Sequence, residues 1–177
     1  MSDLNNNSII LTDEQQNEIR TYRAEARFMR ALSYYHAMDL FGNVPFVDET
    51  DPIGVFTPDQ ITRSDLFDWI EAELLSIEDN LLEPASVPYG RASKAAAQTL
   101  LAKMYLNAEV YTSNPRWDDC IVYCNKVIDN GGFSLSTSYS ELFMADNHTS
   151  SEIIFPVCFD GQYTQTWGGT TFLICAA

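Results

Sequence analysis

One stretch without proline or glycine, from Thr12 to Leu40, constrains the fold of this chain more than any other feature. Thr12 and Gln15 form a capping-box pattern at its start, since the threonine hydroxyl can accept a hydrogen bond from a free backbone N–H and the glutamine can reach back. Large apolar residues recur at helical spacing on more than one side, so a long helix here needs several neighbours to cover it. We expect this helix to end at Gly42, because glycine adopts a positive φ at little cost.

A connection with three prolines, residues 43–61, separates this helix from a second one. We expect the connection to be extended and to pack through its apolar residues Val44, Phe46 and Phe56. Ser64 is the expected cap of the second helix, which continues to about Leu82. Apolar residues at spacings of three and four predict its buried face, formed by Phe67, Ile70, Leu74, Ile77 and Leu81.

A pair of helices joined by a short turn follows. The first opens at Ser93 and runs to about Val110, with small residues preceding large ones on its apolar face. The second has Asn114 and Pro115 as its N-cap and first-turn proline and runs to about Asp129. Its predicted apolar stripe consists of Trp117, Cys120, Ile121, Cys124, Val127 and Ile128. Alternating small and large positions are typical of a tetratricopeptide-type hairpin, so the arrangement is expected to be repeat-like.

The chain changes character in its C-terminal part, residues 133–177. Residues 139–144 predict a short helical turn. The apolar run 152–159 predicts an edge strand, because Pro156 cannot donate to a β-ladder. Residues 160–171 are rich in glycine, threonine and glutamine and predict a loop. The expected fold is therefore mainly α, with tetratricopeptide-like hairpins and a short C-terminal strand and loop.

Composition and motifs exclude several functions. The net charge is −15, from 10 basic and 25 acidic residues, which disfavours binding to nucleic acid or to anionic lipid by charge alone. The four cysteines include no CxxC pair and both histidines are distant from them in sequence, so a zinc site has little support. The chain contains neither an apolar run of the length a bilayer requires nor a nucleophile elbow or nucleotide-binding glycine motif.

Four segments carry a resemblance to the SusD/RagB family of surface glycan-binding lipoproteins. They are AEARFMRALSYYHAMDLFGNVPFVDE (Ala24–Glu49), GRASKAAAQTLLAKMYLNAEVY (Gly90–Tyr111), WDDCIVYCNKVIDNGGFSL (Trp117–Leu135) and SEIIFPV (Ser151–Val157). They follow the order that the family uses, at similar separations. Because members of the family are typically much longer, the resemblance implies one partial domain spanning residues 1–177. Its helical scaffold is expected over residues 12–130 and its strand and loop over residues 133–177.

The resemblance also implies a function. Family members are tethered to the outer membrane through a lipidated cysteine and face the outside. They capture oligosaccharides or peptide-like nutrients without catalysis and pass them to a TonB-dependent outer-membrane transporter, which the helical scaffold contacts. We expect an oligosaccharide or polysaccharide as the nutrient. Two alternatives stay open: a tetratricopeptide-type protein-interaction scaffold without a small ligand, and a carbohydrate-active enzyme with two carboxylates facing each other across a cleft.

The candidate ligand-binding residues lie in the C-terminal loop. Tyr163 and Trp167 offer flat faces for the apolar side of a sugar, and Gln162 and Gln165 offer polar groups for its hydroxyls. The alternative is that Trp167 packs back onto the scaffold, since large aromatic residues are mostly buried. Asp160 is the candidate ligand of a structural calcium ion, a role carried over from relatives, with a plain Asx-turn as the alternative. No other cofactor is expected.

Two further features of the first helix call for an interpretation. Four arginines cluster on it at spacings of three and four: Arg20, Arg23, Arg27 and Arg30. We expect them to pair with internal carboxylates such as Glu25, with contact to the transporter as the alternative. His36 is expected to be packed or hydrogen-bonded rather than to act as a ligand.

Overall fold

A computed structural model describes residues 11–52, 54–144 and 146–158 of the chain. The helices are α1 (Asp13–Phe41), α2 (Arg63–Ile77), α3 (Lys94–Leu106), α4 (Ala108–Thr112) and α5 (Trp117–Asn130). Between α1 and α2, the short strands β1 (Val44–Pro45) and β2 (Gln60–Ile61) pair antiparallel. Short 3₁₀ turns cover Glu78–Asn80, Pro84–Ser86, Tyr139–Phe143 and Asn147–Thr149. No helix in this part of the chain combines the length and the apolar character that crossing a bilayer requires.

Helix α1 has the predicted ends. The Thr12 hydroxyl accepts from the backbone N–H of Gln15 at 3.2 Å, and the Gln15 side chain accepts from the backbone N–H of Thr12 at 3.0 Å, which completes the capping box. The helix ends at Gly42, whose φ is +75° and whose N–H donates to the carbonyl of Met38. Its buried face consists of Ala24, Phe28, Ala31, Tyr35 and Met38.

The helices share one hydrophobic core, in which α1 packs on α2 and α3 packs on α5. Helix α3 is buried along most of its length. Three small residues, Ala95, Ala96 and Ala97, allow neighbouring elements to approach it closely, and Leu101 and Met104 fill the space beyond. The expectation of a mainly α fold with repeat-like helix pairs is therefore confirmed.

Helix α2 begins two residues earlier than expected. Its cap is Thr62 rather than Ser64, since the Thr62 hydroxyl accepts from the backbone N–H of Asp65 at 3.2 Å and also donates to the Asp65 carboxylate at 2.6 Å. The helix ends at Ile77, and the 3₁₀ turn Glu78–Asn80 continues its path. The predicted buried face is confirmed, because all five of its apolar residues are buried.

Exchanging Thr62 for alanine is expected to lower the free energy of unfolding by about 1 kcal/mol, because the first turn of α2 loses its side-chain acceptor. Ser64 is exposed and lies inside the helix, so Ser64→Ala is the matched control, with an expected change within about 0.5 kcal/mol. Urea unfolding followed by circular dichroism measures both. A larger loss for Ser64→Ala would restore Ser64 as the cap.

The third and fourth predicted helices differ from the structure at their junction. Helix α3 ends at Leu106, and a short separate helix, α4, follows it up to a left-handed residue, Ser113, with a φ of +64°. Helix α5 begins at Trp117, and no side chain caps it, so Asn114 and Pro115 lie before the helix instead of forming its first turn. Its C-terminal end at Gly131 is as predicted.

The apolar stripe predicted for α5 is largely wrong. Cys120 is buried as expected, but Trp117, Ile121, Cys124 and Ile128 are exposed. Tyr123, absent from the predicted stripe, is buried. The reason is that both the ring and the hydroxyl of Tyr123 have partners on the buried side of the helix. The ring centroid lies 5.5 Å from that of Tyr105, and the hydroxyl donates to Glu78 at 3.2 Å. These contacts fix the rotation of the helix.

The prediction of a C-terminal edge strand is also wrong over the residues that the structure describes, since residues 152–158 form no β-ladder. The segment packs on the helices instead. Ile154 and Phe155 lie against the core, and the ring of Phe155 meets that of Phe28 edge-on at 5.2 Å. The predicted short turn is confirmed at Tyr139–Phe143. In the connection, Val44 is buried and Phe46 packs on the core, whereas Phe56 is exposed, contrary to expectation.

Candidate functional site

Three adjoining surface clefts lie at the C-terminal segment, residues 133–156, with volumes of about 530, 450 and 200 Å³. The loop before α3, residues 83–91, lines the second and third of them. Ser150 lines all three clefts, Ser151 the first and second, and Phe133 and Ile153 the second and third. We call this feature the polar groove.

The first end of the polar groove is lined mainly by hydroxyl, amide and carboxylate side chains. They include Ser134, Ser136, Thr137, Glu141, Asp146 and Asn147. Hydrogen bonds inside the segment hold this end in place. The hydroxyls of Ser134 and Ser151 lie 2.8 Å apart, and the backbone N–H of Ser136 donates to Glu152 at 2.9 Å. Such an arrangement presents donors and acceptors of fixed geometry to a polar ligand.

The second end of the polar groove carries an exposed aromatic residue, Tyr89, whose ring lies 6.4 Å from that of His148. Gly90 makes the turn possible: its φ is +83°, and a Cβ at this position would lie 2.9 Å from the sulfur of Cys158. Arg91 fixes the end of the loop, because its guanidinium donates to both carboxylate oxygens of Glu25, at 2.7 and 3.0 Å. Sequence reasoning missed this groove because its residues read as ordinary loop.

The structure does not test the predicted site residues. Asp160, Gln162, Tyr163, Gln165 and Trp167 all fall outside the described residues. Within the described ranges, no group of three or more histidine, cysteine or acidic side chains could hold a metal ion.

Two of the four arginines on α1, Arg27 and Arg30, form the expected internal ion pairs, but with a carboxylate other than Glu25. Arg20 donates to Asn17 instead of to a carboxylate. Glu73 of α2 accepts from Arg27 at 2.6 and 3.0 Å and from Arg30 at 2.7 Å. Burial alone would raise the pKa of Glu73, but the hydrogen bonds from the two guanidiniums outweigh it and hold this pKa below its ordinary value. Arg30 also pairs with Glu49 and lies over the ring of Trp69. Glu25, the expected partner, pairs with Arg91 instead.

Tyrosine–carboxylate hydrogen bonds join the helices. Tyr105 donates to Glu71 and Tyr111 to Asp39, both at 2.6 Å. Burial, reinforced by the adjacent carboxylate, raises the pKa of both tyrosines far above the ordinary value, so both stay protonated donors. Glu71 additionally accepts from Arg116 at 3.0 Å, which ties α2 to the start of α5. The scaffold under the polar groove is therefore held by polar as well as apolar contacts.

Two helical faces remain open to solvent. On α1 the exposed face contains Ile19, Tyr22, Met29 and His36, and on α5 it contains Trp117, Ile121 and Ile128. The expectation of a packed or hydrogen-bonded His36 is wrong, since this residue is exposed and contacts the ring edge of Tyr35. Exposed apolar faces of this extent are typical of surfaces that contact another protein or another part of one.

Comparison with known proteins places the chain in a family. Residues 4–106 match the SusD-like family described as "Starch-binding associating with outer membrane". The starch-binding protein SusD of Bacteroides thetaiotaomicron is 43% identical over 157 residues, which are 86% of this chain and 28% of that protein. A SusD-like protein of Bacteroides ovatus is 30% identical over 135 residues, 73% of this chain and 24% of that protein. The chain thus spans about a quarter of the length of these relatives.

Solved structures agree with this placement at the level of the fold. A SusD-like protein of Bacteroides fragilis superposes with a TM-score of 0.70 at 24% identity, covering 83% of this chain and 29% of that one. Surface glycan-binding protein A of Bacteroides thetaiotaomicron, in complex with laminarihexaose, superposes with a TM-score of 0.65 at 24% identity, covering 81% and 29%. The matched family model and the 43% identical relative show that the chain belongs to the SusD-like family.

Proposed function

We propose that this protein captures a nutrient, an oligosaccharide or polysaccharide, at the outer face of the outer membrane, without catalysis, and delivers it to a TonB-dependent transporter. The observation that carries the proposal is the 43% identity to a starch-binding protein over most of the chain. The family description supplies the outer-membrane association. The laminarihexaose complex of a protein with the same fold supports an oligosaccharide as the ligand class.

Within this proposal, Trp167, Tyr163 and Gln165 contact the sugar. Changing Trp167 to alanine should weaken binding of maltohexaose or laminarihexaose by about fivefold, because a stacked aromatic ring contributes roughly 1 kcal/mol. Isothermal titration calorimetry measures this effect, and Trp117→Ala, an exposed tryptophan on α5, is the matched control. Equal affinities of the Trp167→Ala variant and the unchanged protein would remove Trp167 from the site and leave the family assignment intact.

The non-enzymatic part of the proposal has its own test. Glu141 and Asp146 line the same cleft, and a pair of carboxylates across a cleft is what a glycosidase needs. Incubation with the same hexasaccharides followed by chromatography of the products distinguishes the two functions. A binding protein leaves the hexasaccharide intact, whereas release of shorter sugars that Glu141→Gln abolishes would overturn the proposal.

Two further parts of the proposal concern calcium and the transporter. Asp160 is proposed as a ligand of a structural calcium ion, and melting the protein and its Asp160→Asn variant with calcium or with EGTA tests this role.

The open faces of α1 and α5 are proposed as the contact with the transporter. The alternative of a tetratricopeptide-type interaction scaffold rests on the same exposed faces. It requires partner capture in the absence of any glycan affinity.

A further inference from the structure

We infer that the polar groove is itself a binding subsite for a neutral oligosaccharide, formed by residues other than Tyr163, Gln165 and Trp167. This inference rests on the proposed function, since it names a second place on the chain where the captured glycan is held.

The dimensions of the groove fit a ligand of several sugar units. Its two larger clefts, of about 530 and 450 Å³, each fall in the range of roughly 300–1,000 Å³ that is typical of small-molecule sites. The three clefts adjoin one another, because Ser150 lines all of them. Together they offer room for more than one sugar unit.

The lining supplies the hydrogen-bond chemistry that sugar hydroxyls require. Each sugar hydroxyl both donates and accepts, and the serine and threonine hydroxyls of the groove do the same. The carboxylate of Asp146 accepts no hydrogen bond from any described residue, and that of Glu141 accepts one, from Ser136 at 3.3 Å. Both therefore retain acceptor capacity for sugar hydroxyls, and bonds to an ionised acceptor are the stronger ones.

An exposed aromatic ring lines the groove, and two more lie on a turn that contributes to it. Tyr89 lines the smallest cleft and is 58% exposed. Tyr139 and Phe143 do not line the groove, but they lie on the same 3₁₀ turn as Glu141, which does, with their ring centroids 5.1 Å apart, and they are 77% and 71% exposed. Rings with such large exposed fractions present flat apolar faces to water. The C–H face of a pyranose can stack on such a face and cover it.

The charge of the groove selects the class of sugar. Glu141 and Asp146 place negative charge at the wide end, and the whole chain carries a net charge of −15. Arg91, which lines the narrow end, already donates to both oxygens of Glu25. A uronic-acid or sulfated glycan would meet like charge without a free cation from these residues, so the groove favours a neutral glycan.

Calorimetric titration of the full chain with maltohexaose and laminarihexaose, and with an oligogalacturonate of equal length, tests the inference. Asp146→Ala and Tyr89→Ala are each expected to weaken binding of the preferred neutral hexasaccharide by about tenfold with little change in melting temperature. Asp118→Ala, an exposed acid on α5, is the matched control and should bind as the unchanged protein does. Tyr89→Ala keeps the inference testable if the Asp146 variant fails to fold.

The outcomes separate the inference from the function on which it rests. If the unchanged protein binds a neutral glycan, and both groove variants bind it equally well while Trp167→Ala does not, the groove is not a subsite and the proposed function stands. If the unchanged protein binds no glycan, both are overturned. Tighter binding of the oligogalacturonate than of either neutral sugar would overturn the assignment of the sugar class.

Discussion

Replacing Leu74 by alanine is expected to lower the free energy of unfolding by about 2–5 kcal/mol. Leu74 lies on the face of α2 that is turned into the shared core, and its exposure is 0%. The substitution removes the transfer free energy of three buried carbon atoms and leaves a cavity that the surrounding helices fill only in part. A domain of this size has a total stability of about 5–15 kcal/mol, so the loss is a large fraction of it.

The neighbouring residue provides the control. Leu75 has the same side chain on the same helix, but it is 44% exposed, so Leu75→Ala is expected to cost less than about 1 kcal/mol. Urea denaturation monitored by far-ultraviolet circular dichroism compares the two variants directly. Equal losses at the two positions would mean that α2 is rotated relative to the face described above.

The fold was predictable from the sequence where local chemistry decides it. The capping box at Thr12 and Gln15 and the stop at Gly42 involve residues close together in the chain, so their pattern fixed both ends of α1 correctly. The buried face of α2 was equally predictable from the sequence, because five apolar residues at helical spacing indicate one buried side of a helix. The same holds for Ser93, which caps α3 through its hydrogen bond to the backbone N–H of Ala96.

Predictions failed where a distant partner decides the outcome. The rotation of α5 depends on Tyr123, whose hydroxyl donates to Glu78, 45 residues earlier in the sequence. Apolar character alone predicted that Trp117 and Ile121 would be buried, but both are exposed. Residues 152–158 read as a strand because of their β-branched content, yet the position of Phe28 draws Phe155 into the core. β-propensity measures fit to a local surface, and here that surface is helical.

The polar groove illustrates the same limit for function. Its parts come from segments about fifty residues apart, and each segment by itself has an ordinary loop composition: prolines and a glycine in residues 83–91, and serine, threonine and acidic residues in the C-terminal segment. The pairing of Arg91 with Glu25 positions one wall, and the hydrogen bond between Ser134 and Ser151 positions the other. Neither contact has a signature in sequence spacing, so the groove becomes visible only when the two walls are placed together.

Changing Glu73 to glutamine is expected to lower the free energy of unfolding by about 2–4 kcal/mol at neutral pH. The side chain of Glu73 is 13% exposed and is the shared acceptor of Arg27 and Arg30, which are 28% and 26% exposed. Its loss leaves two neighbouring guanidiniums without their common counter-charge, a cost that approaches the roughly 3–5 kcal/mol of breaking a buried ion pair. Glu49→Gln is the control: Glu49 also pairs with Arg30 but is 60% exposed, so solvent screens this pair and the loss is expected to be much smaller than for Glu73→Gln.

The pH dependence of this difference separates charge from shape. The pKa of Glu73 in the folded protein lies below the ordinary value of 4.5, so the folded state binds this proton less readily than the unfolded state does. The contribution of the ionised carboxylate is therefore present above about pH 4.5 and declines as the pH falls through the lower, folded-state pKa. Urea unfolding of the unchanged protein and of Glu73→Gln should thus give a difference that is constant from pH 7 to 5 and narrows at more acidic pH. If the difference in unfolding free energy instead stays constant below pH 4.5 as well, the amide destabilises the site by its packing. The ion pair of Glu73 with Arg27 and Arg30 then contributes little.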